Sequence, residues 1–300
     1  MLPTLEGREP VSTADRLRHL SSGFFIRYPA AVEIIDELEE LADPYGSLRQ
    51  DLCIVGHSGN GKSWLAKAFI RSFPLDWNFE GDAAVIPVVY VKTPGRASVP
   101  MLAERILVAL GQTIKPGTNE KRFLPRAIAV LKEVKTKVLI LDDIQHIQVG
   151  TATEKAFMRN TLKELGELCD LSVIGFGTEA ASAIVSHDTQ VERRFELRAL
   201  PNWKFDDHSR SLLVHVEKFM NLKHESGIGF DERLTRRIIA DAEGTLGNMV
   251  KIIRLAAAVA IKSGEERITD KTLDKIKWVP PSKRLAAAAK VLGHAPLVYG

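Results

Sequence analysis

One run of residues limits what this chain can fold into: Gly56-His57-Ser58-Gly59-Asn60-Gly61-Lys62-Ser63. It meets the spacing G-x-x-x-x-G-K-S, follows the apolar run Leu52-Cys53-Ile54-Val55 and precedes a helical pattern over 64–73. A strand that turns through such a loop into a helix is built to hold phosphates. The glycines let the backbone wrap an anion with its N–H groups inward. The helix adds the positive end of its dipole. In that geometry Lys62 contacts the β- and γ-phosphates and Ser63 ligates Mg²⁺. Gly56 to Ser63, with Trp64 opening the helix, is therefore the candidate site for a nucleoside triphosphate, with ATP and Mg²⁺ expected. Two competing motifs fail on spacing. A hydrolase elbow, G-x-S-x-G from Gly56, needs a glycine where Asn60 stands. A dinucleotide fingerprint begun at Gly59 needs one where Trp64 stands. No His/Cys spacing suggests zinc.

The rest of the chain fits around that unit. Apolar strand patterns recur at 85–91, 138–141, 171–176 and 196–199, separated by helical patterns at 100–110, 120–135 and 154–169. In the last of these Phe157, Thr161, Leu165 and Leu168 are in register. A further helix is expected over 29–43, stopped by Pro44. Continuous apolar strands alternating with helices mean a parallel sheet covered on both faces. After Pro201 only helical patterns follow, at 206–223, 231–242, 245–263 and 269–276. The expectation is an α/β domain over 23–200 with a five-stranded parallel sheet, then a small all-helical lid over 201–278. Residues 1–22 read as an irregular arm. Residues 279–300 read as a Pro-containing tail, too short to fold alone, with room for a short helix at 283–292.

Composition adds boundaries. Apolar residues at 45% suffice for a sizeable core in 300 residues. No apolar stretch approaches the ~18–20 residues of a membrane span, and the N-terminus lacks a signal-peptide pattern. A cytoplasmic protein with no membrane partner is expected. Cys53 and Cys169 then read as buried thiols rather than a disulfide. Net charge is only +3, but residues 115–137 carry seven bases against two acids. Such a cluster either engages phosphates or is a solvated helix face.

Three further elements bear on a phosphate site. The strand at 138–141, expected beside the P-loop, ends in Asp142-Asp143. Asp142 suits the Mg²⁺ shell; Asp143 either polarises an attacking water or caps the next turn. Thr178, after the strand at 171–176, either senses a γ-phosphate or caps that strand end. Arg193 and Arg194 either reach the γ-phosphate of a neighbouring subunit or are an ordinary surface pair.

Taken in order, these elements resemble an AAA+ ATPase, and more closely the TniB/TnsC-type ATPases that assist transposases. The resemblance spans about 24–277 and is carried by Phe25-Ile26-Arg27-Tyr28-Pro29, the P-loop, Pro87-Val88-Val89-Tyr90-Val91, Leu139-Ile140-Leu141-Asp142-Asp143-Ile144-Gln145-His146 and Gly175-Phe176-Gly177-Thr178. It implies ATP-dependent assembly of a ring or helical filament on duplex DNA. It also implies a link to a DDE transposase and possibly a TniQ-like targeting protein, with hydrolysis resetting the assembly. DNA contacts in related proteins fall on positions matching Lys92, Thr93, Arg96, Lys115 and Thr118, and Lys121 extends that basic stretch. Contacts of that kind are to phosphates and independent of sequence. The chain departs from the pattern twice. Asp143 stands where glutamate is usual, which allows slow hydrolysis. Asn248 stands where many lids offer a sensor arginine, with Lys251 one helical step on. Two alternatives remain open: another AAA+ DNA factor of helicase-loader or initiator type, and a nucleotide-switched scaffold without productive turnover. An initiator would ordinarily carry a DNA-binding domain beyond the lid, for which the residues after Trp278 are too few.

Overall fold

The computed structural model describes residues 12–43, 49–73, 84–186 and 195–291. They fall into two units, one of residues 29–201 and one that joins the N-terminal segment to everything from Asn202 onward.

In the first unit the strands are β1 (Asp51–Val55), β2 (Val88–Lys92), β3 (Val138–Asp142), β4 (Ser172–Gly177) and β5 (Phe195–Ala199). With α1 (Thr13–Ser21) reserved for the N-terminal segment, its helices are α2 (Pro29–Leu41), α3 (Lys62–Ser72), α4 (Val99–Ala109), α5 (Phe123–Glu133), α6 (Ala152–Cys169) and the short α7 (Ser182–Ser186). All five strands are parallel, in the order β2-β3-β4-β1-β5. Side chains alternate across the sheet. Cys53, Val55, Val89, Val91, Leu139, Leu141 and Val173 join one core with residues of α4, α5 and α6. The alternate residues Leu52, Ile54, Ile140 and Ile174 are also fully buried. Both faces are covered, as continuous apolar strands require. Both cysteines are buried free thiols, and burial pushes Cys53 up to about 12.

Two details depart from the sequence reading. β2 starts at Val88 rather than at 85, because Pro87 has no N–H for the ladder; its carbonyl instead accepts from the Lys137 and Val138 N–H groups. α6 turns Met158, Thr161, Leu162, Leu165 and Cys169 inward, while Phe157 is 64% exposed and Leu168 is also exposed. The stripe that fits the sheet begins one residue later than the Phe157 register. In the sheet β4 runs between the Asp142 strand and the P-loop strand.

The second unit holds α8 (Asp207–Met220), α9 (Glu232–Asp241), α10 (Leu246–Ser263), α11 (Asp270–Lys275) and α12 (Arg284–Val291). Residues 13–21 are not irregular, as the sequence suggested, but form α1. Ser12 caps it by accepting from the Asp15 N–H, and it docks on α10. Arg16 holds Glu266 with two bonds of 2.6 Å, Phe24 stacks on Phe219, and Arg254 donates to the Ser22 carbonyl at 2.6 Å. The segment after Trp278 also folds back. Trp278 Nε1 donates to the Asp241 carbonyl at 2.8 Å, and Arg284 lies over the Trp278 ring. Among the described residues no single helix is long and apolar enough to cross a membrane.

Candidate nucleotide site

The P-loop leaves the buried end of β1 and enters α3 through two left-handed glycines, Gly59 (φ 82°) and Gly61 (φ 84°). Gly61 is the N-cap of α3 and supplies no capping side chain, so the first turn's N–H groups are not claimed by a cap. The loop is pinned at both ends: Gly56 N–H donates to the Gly177 carbonyl at 3.2 Å, and Asn60 Nδ2 to the Pro201 carbonyl at 2.7 Å. Gly56 is also the close approach to Leu200, whose Cβ lies 3.1 Å from where a side chain would begin. His57 and Ser58 are exposed on the crest of the loop, and His57 Nε2 is 3.0 Å from the Glu179 carboxylate.

Lys62 folds back under this loop. Its ammonium donates to the Gly56 carbonyl at 2.6 Å and the His57 carbonyl at 2.8 Å. Burial lowers its proton affinity below the usual lysine range, with the charges of Asp142 and Asp143 opposing. Such a cation, held by neutral carbonyls in a partly dry loop, is poised to exchange them for phosphate oxygens.

Ser63 is in the first turn of α3 and reaches across β4 to β3. Its hydroxyl donates to Asp142 Oδ2 at 2.7 Å. A second hydroxyl, that of Tyr90 on β2, donates to the same oxygen at 2.5 Å. The other carboxylate oxygen accepts the Asp143 N–H at 3.1 Å. Burial and the hydrogen bond to Asp142 push the Tyr90 phenol well above its ordinary range. Among the described residues no group of three or more His, Cys, Asp or Glu could hold a metal unaided. A hydroxyl and a single carboxylate, both hard oxygen donors, fit Mg²⁺, which keeps waters and takes its remaining ligands from phosphate.

Asp143 begins the turn after β3 in a left-handed conformation (φ 57°) that aspartate tolerates. Its side chain makes no capping bond to the following 3-10 turn, Ile144–Gln148. Instead its carboxylate meets Lys92 Nζ at 3.3 Å and Gln145 Nε2 at 3.3 Å. Gln145 Oε1 accepts the Thr178 N–H at 3.2 Å, which ties the ends of β3 and β4 together. Gly177 leaves room for this bridge, since a side chain there would begin 2.8 Å from that oxygen. The Thr178 hydroxyl makes no capping bond either.

The remaining expected residues are spread out. Trp64 is 40% exposed beside the loop. Arg96, Lys115 and Lys121 are exposed, and the Thr118 hydroxyl donates to the Lys115 carbonyl at 2.7 Å. Thr93 is 1% exposed, so the expected surface contact with DNA does not fit its place; β2 carries it inward behind Lys92, whose carbonyl and its own are held by Arg105. Asn248 belongs to the helical unit, where its amide donates to the Ala242 carbonyl at 3.2 Å; Lys251 lies over Trp278. Arg193 and Arg194 lie outside the described residues. Sequence reasoning missed Tyr90 and Gln145 as site residues. The available signal for Tyr90 was a lone hydroxyl among the valines of β2.

A five-stranded parallel sheet in this order, a P-loop on β1, a paired acid on β3 and a following helical region define an AAA+ ATPase fold. The profile of the bacterial TniB protein family matches residues 16–205, and the chain belongs to that family. Solved structures give the same fold at low identity. The Aeropyrum pernix ORC1 protein, in complex with DNA, is 15% identical with a TM-score of 0.61, covering 92% of this chain and 69% of its own. Cdc6p from Pyrobaculum aerophilum is 15% identical with a TM-score of 0.61, covering 85% and 68%. The Thermotoga maritima RuvB Holliday junction branch migration motor is 12% identical with a TM-score of 0.51, covering 89% and 82%. No curated protein matches the chain.

Proposed function

We propose that this chain is an ATP-dependent regulator of DNA transposition. In this reading it binds ATP with Mg²⁺ at the P-loop, oligomerises on target duplex DNA, and recruits or activates a DDE transposase, with hydrolysis controlling disassembly. The observation that carries the nucleotide part is the 2.7 Å bond from Ser63 to Asp142, which brings the α3 hydroxyl and the β3 carboxylate to one point beside Lys62. The family assignment supports the transposition part. Bound nucleotide and Mg²⁺ would supply a phosphoryl group already partly neutralised for attack. The chain's own residues do the rest. Lys62 leaves its carbonyl partners to meet phosphate oxygens. Ser63 and Asp142 hold the metal's position. Asp143 accepts a water proton once it is free of Lys92.

Exposed Arg96, Lys115 and Lys121 are the proposed backbone contacts to DNA, and the helical unit is the proposed lid. The fold shared with ORC1, which was solved on DNA, favours an initiator-type AAA+ factor as the second reading. Electron microscopy with duplex DNA and a slowly hydrolysed ATP analogue should show rings or filaments, and monomers alone would sink the leading reading. Phosphate release, measured with and without DNA, should be lost in Lys62→Ala and Asp143→Ala. Release unaffected by both substitutions would refute the assigned site.

A further inference from the structure

Asp142 accepts two hydroxyls on one oxygen, and only one of them comes from the P-loop helix. The other comes from Tyr90 on β2, the edge strand, with β3 and β4 between it and β1. Register explains the reach. Tyr90 pairs with Ile140 and Lys92 with Asp142, so the phenol must run diagonally, two residues along β3, to meet the carboxylate. A tyrosine is suited to this because its ring packs in a strand while its hydroxyl works at the far end. Its neighbours Val88, Val89 and Val91 are buried and aliphatic.

We infer that Tyr90 is a positioning residue for the metal-holding carboxylate. It fixes the rotamer of Asp142 so that Ser63 keeps its oxygen directed to the cation. This rests on the nucleotide-site reading above. Without the phenol, Oδ2 keeps only the Ser63 bond and Oδ1 the Asp143 N–H, so the carboxylate loses one of the three bonds that hold its χ2 torsion. Groups that orient a ligating carboxylate from behind typically alter metal affinity by ~10–100-fold when removed.

The test is Tyr90→Phe in the full chain, read by ADP binding without turnover, with MgCl₂ as the titrant. The ring remains, so packing is kept. ADP affinity in EDTA should equal that of the wild type, while the Mg²⁺ concentration for half-maximal enhancement should rise roughly tenfold or more. A purely structural role would weaken binding with and without metal alike, and that outcome overturns the inference. So does a Mg²⁺ midpoint unchanged within about twofold, set against the ~10-fold expected. Asp142→Asn separates the two levels. If wild-type binding shows no Mg²⁺ dependence, or Asp142→Asn leaves that dependence intact, the site reading itself fails. If Asp142→Asn abolishes it, adding Tyr90→Phe should change nothing further. An additional loss in the double variant would show that Tyr90 acts elsewhere.

Discussion

At Lys62 the stability of the fold and the proposed binding of phosphate depend on pH with opposite signs. Burial lowers its proton affinity in the folded chain. Between that lowered value and the unfolded lysine value of about 10.4 the unfolded chain binds more protons, so this residue's contribution to stability rises with pH. Phosphate oxygens would favour the charged form, so affinity is present below the lowered value and declines above it. ADP binding measured by calorimetry should therefore weaken as pH rises, starting below the ordinary lysine range, at pH values where melting shows no matching loss of stability. Lys62→Ala should cost about 1.5–3 kcal/mol of ADP affinity, roughly tenfold or more, as the loss of charge-assisted bonds predicts. An unchanged ADP affinity in this variant would remove Lys62 from the site. The residue identities at the P-loop and at Asp142-Asp143 were legible because spacing along the chain encodes them. The contacts of Tyr90 with Asp142 and of Gln145 with Thr178 were not, because each joins residues far apart along the chain.

At the scale of elements, α1 is the instructive helix. Leu20 is its buried residue. Its polar hold on the helical unit includes the Arg16–Glu266 pair, two bonds between residues 250 apart, and His19, whose Nε2 meets the Phe219 carbonyl at 2.9 Å. The hydrogen bond from Arg16 keeps the Glu266 carboxyl below the usual range. A lowered carboxyl contributes stability above its unfolded value of about 4.3, lost as pH falls through the folded one. Arg16→Ala should destabilise the helical unit by about 1.5–3 kcal/mol near neutral pH, measured by urea unfolding, and flatten the acid limb of the stability profile. Equal acid sensitivity in both proteins would exclude the pair as its cause. Helix positions elsewhere were legible from apolar periodicity, within a few residues. The misjudged register of α6 has a simple cause: Phe157 is apolar but lies just outside the stripe that reaches the sheet.

For the whole molecule, the proposed work on DNA depends on charge placement rather than on net charge. Exposed Arg96, Lys115 and Lys121 would meet phosphates, so duplex affinity should fall linearly on a logarithmic salt scale. Neutralising all three should reduce that slope by about 3, with little dependence on DNA sequence. A slope unchanged in the triple variant would place the DNA interface elsewhere. By itself the sequence determined the phosphate loop, the alternation of strands and helices, the parallel sheet and the pair of acids. Those are local or periodic properties, written within a few residues of one another. Only the tertiary structure decided that β4 separates β1 from β3, that the N-terminal segment belongs with the helices after Asn202, and that Tyr90 shares the Asp142 oxygen with Ser63. Strand order and register bring together side chains that no spacing along the chain relates, and the site is made of those encounters.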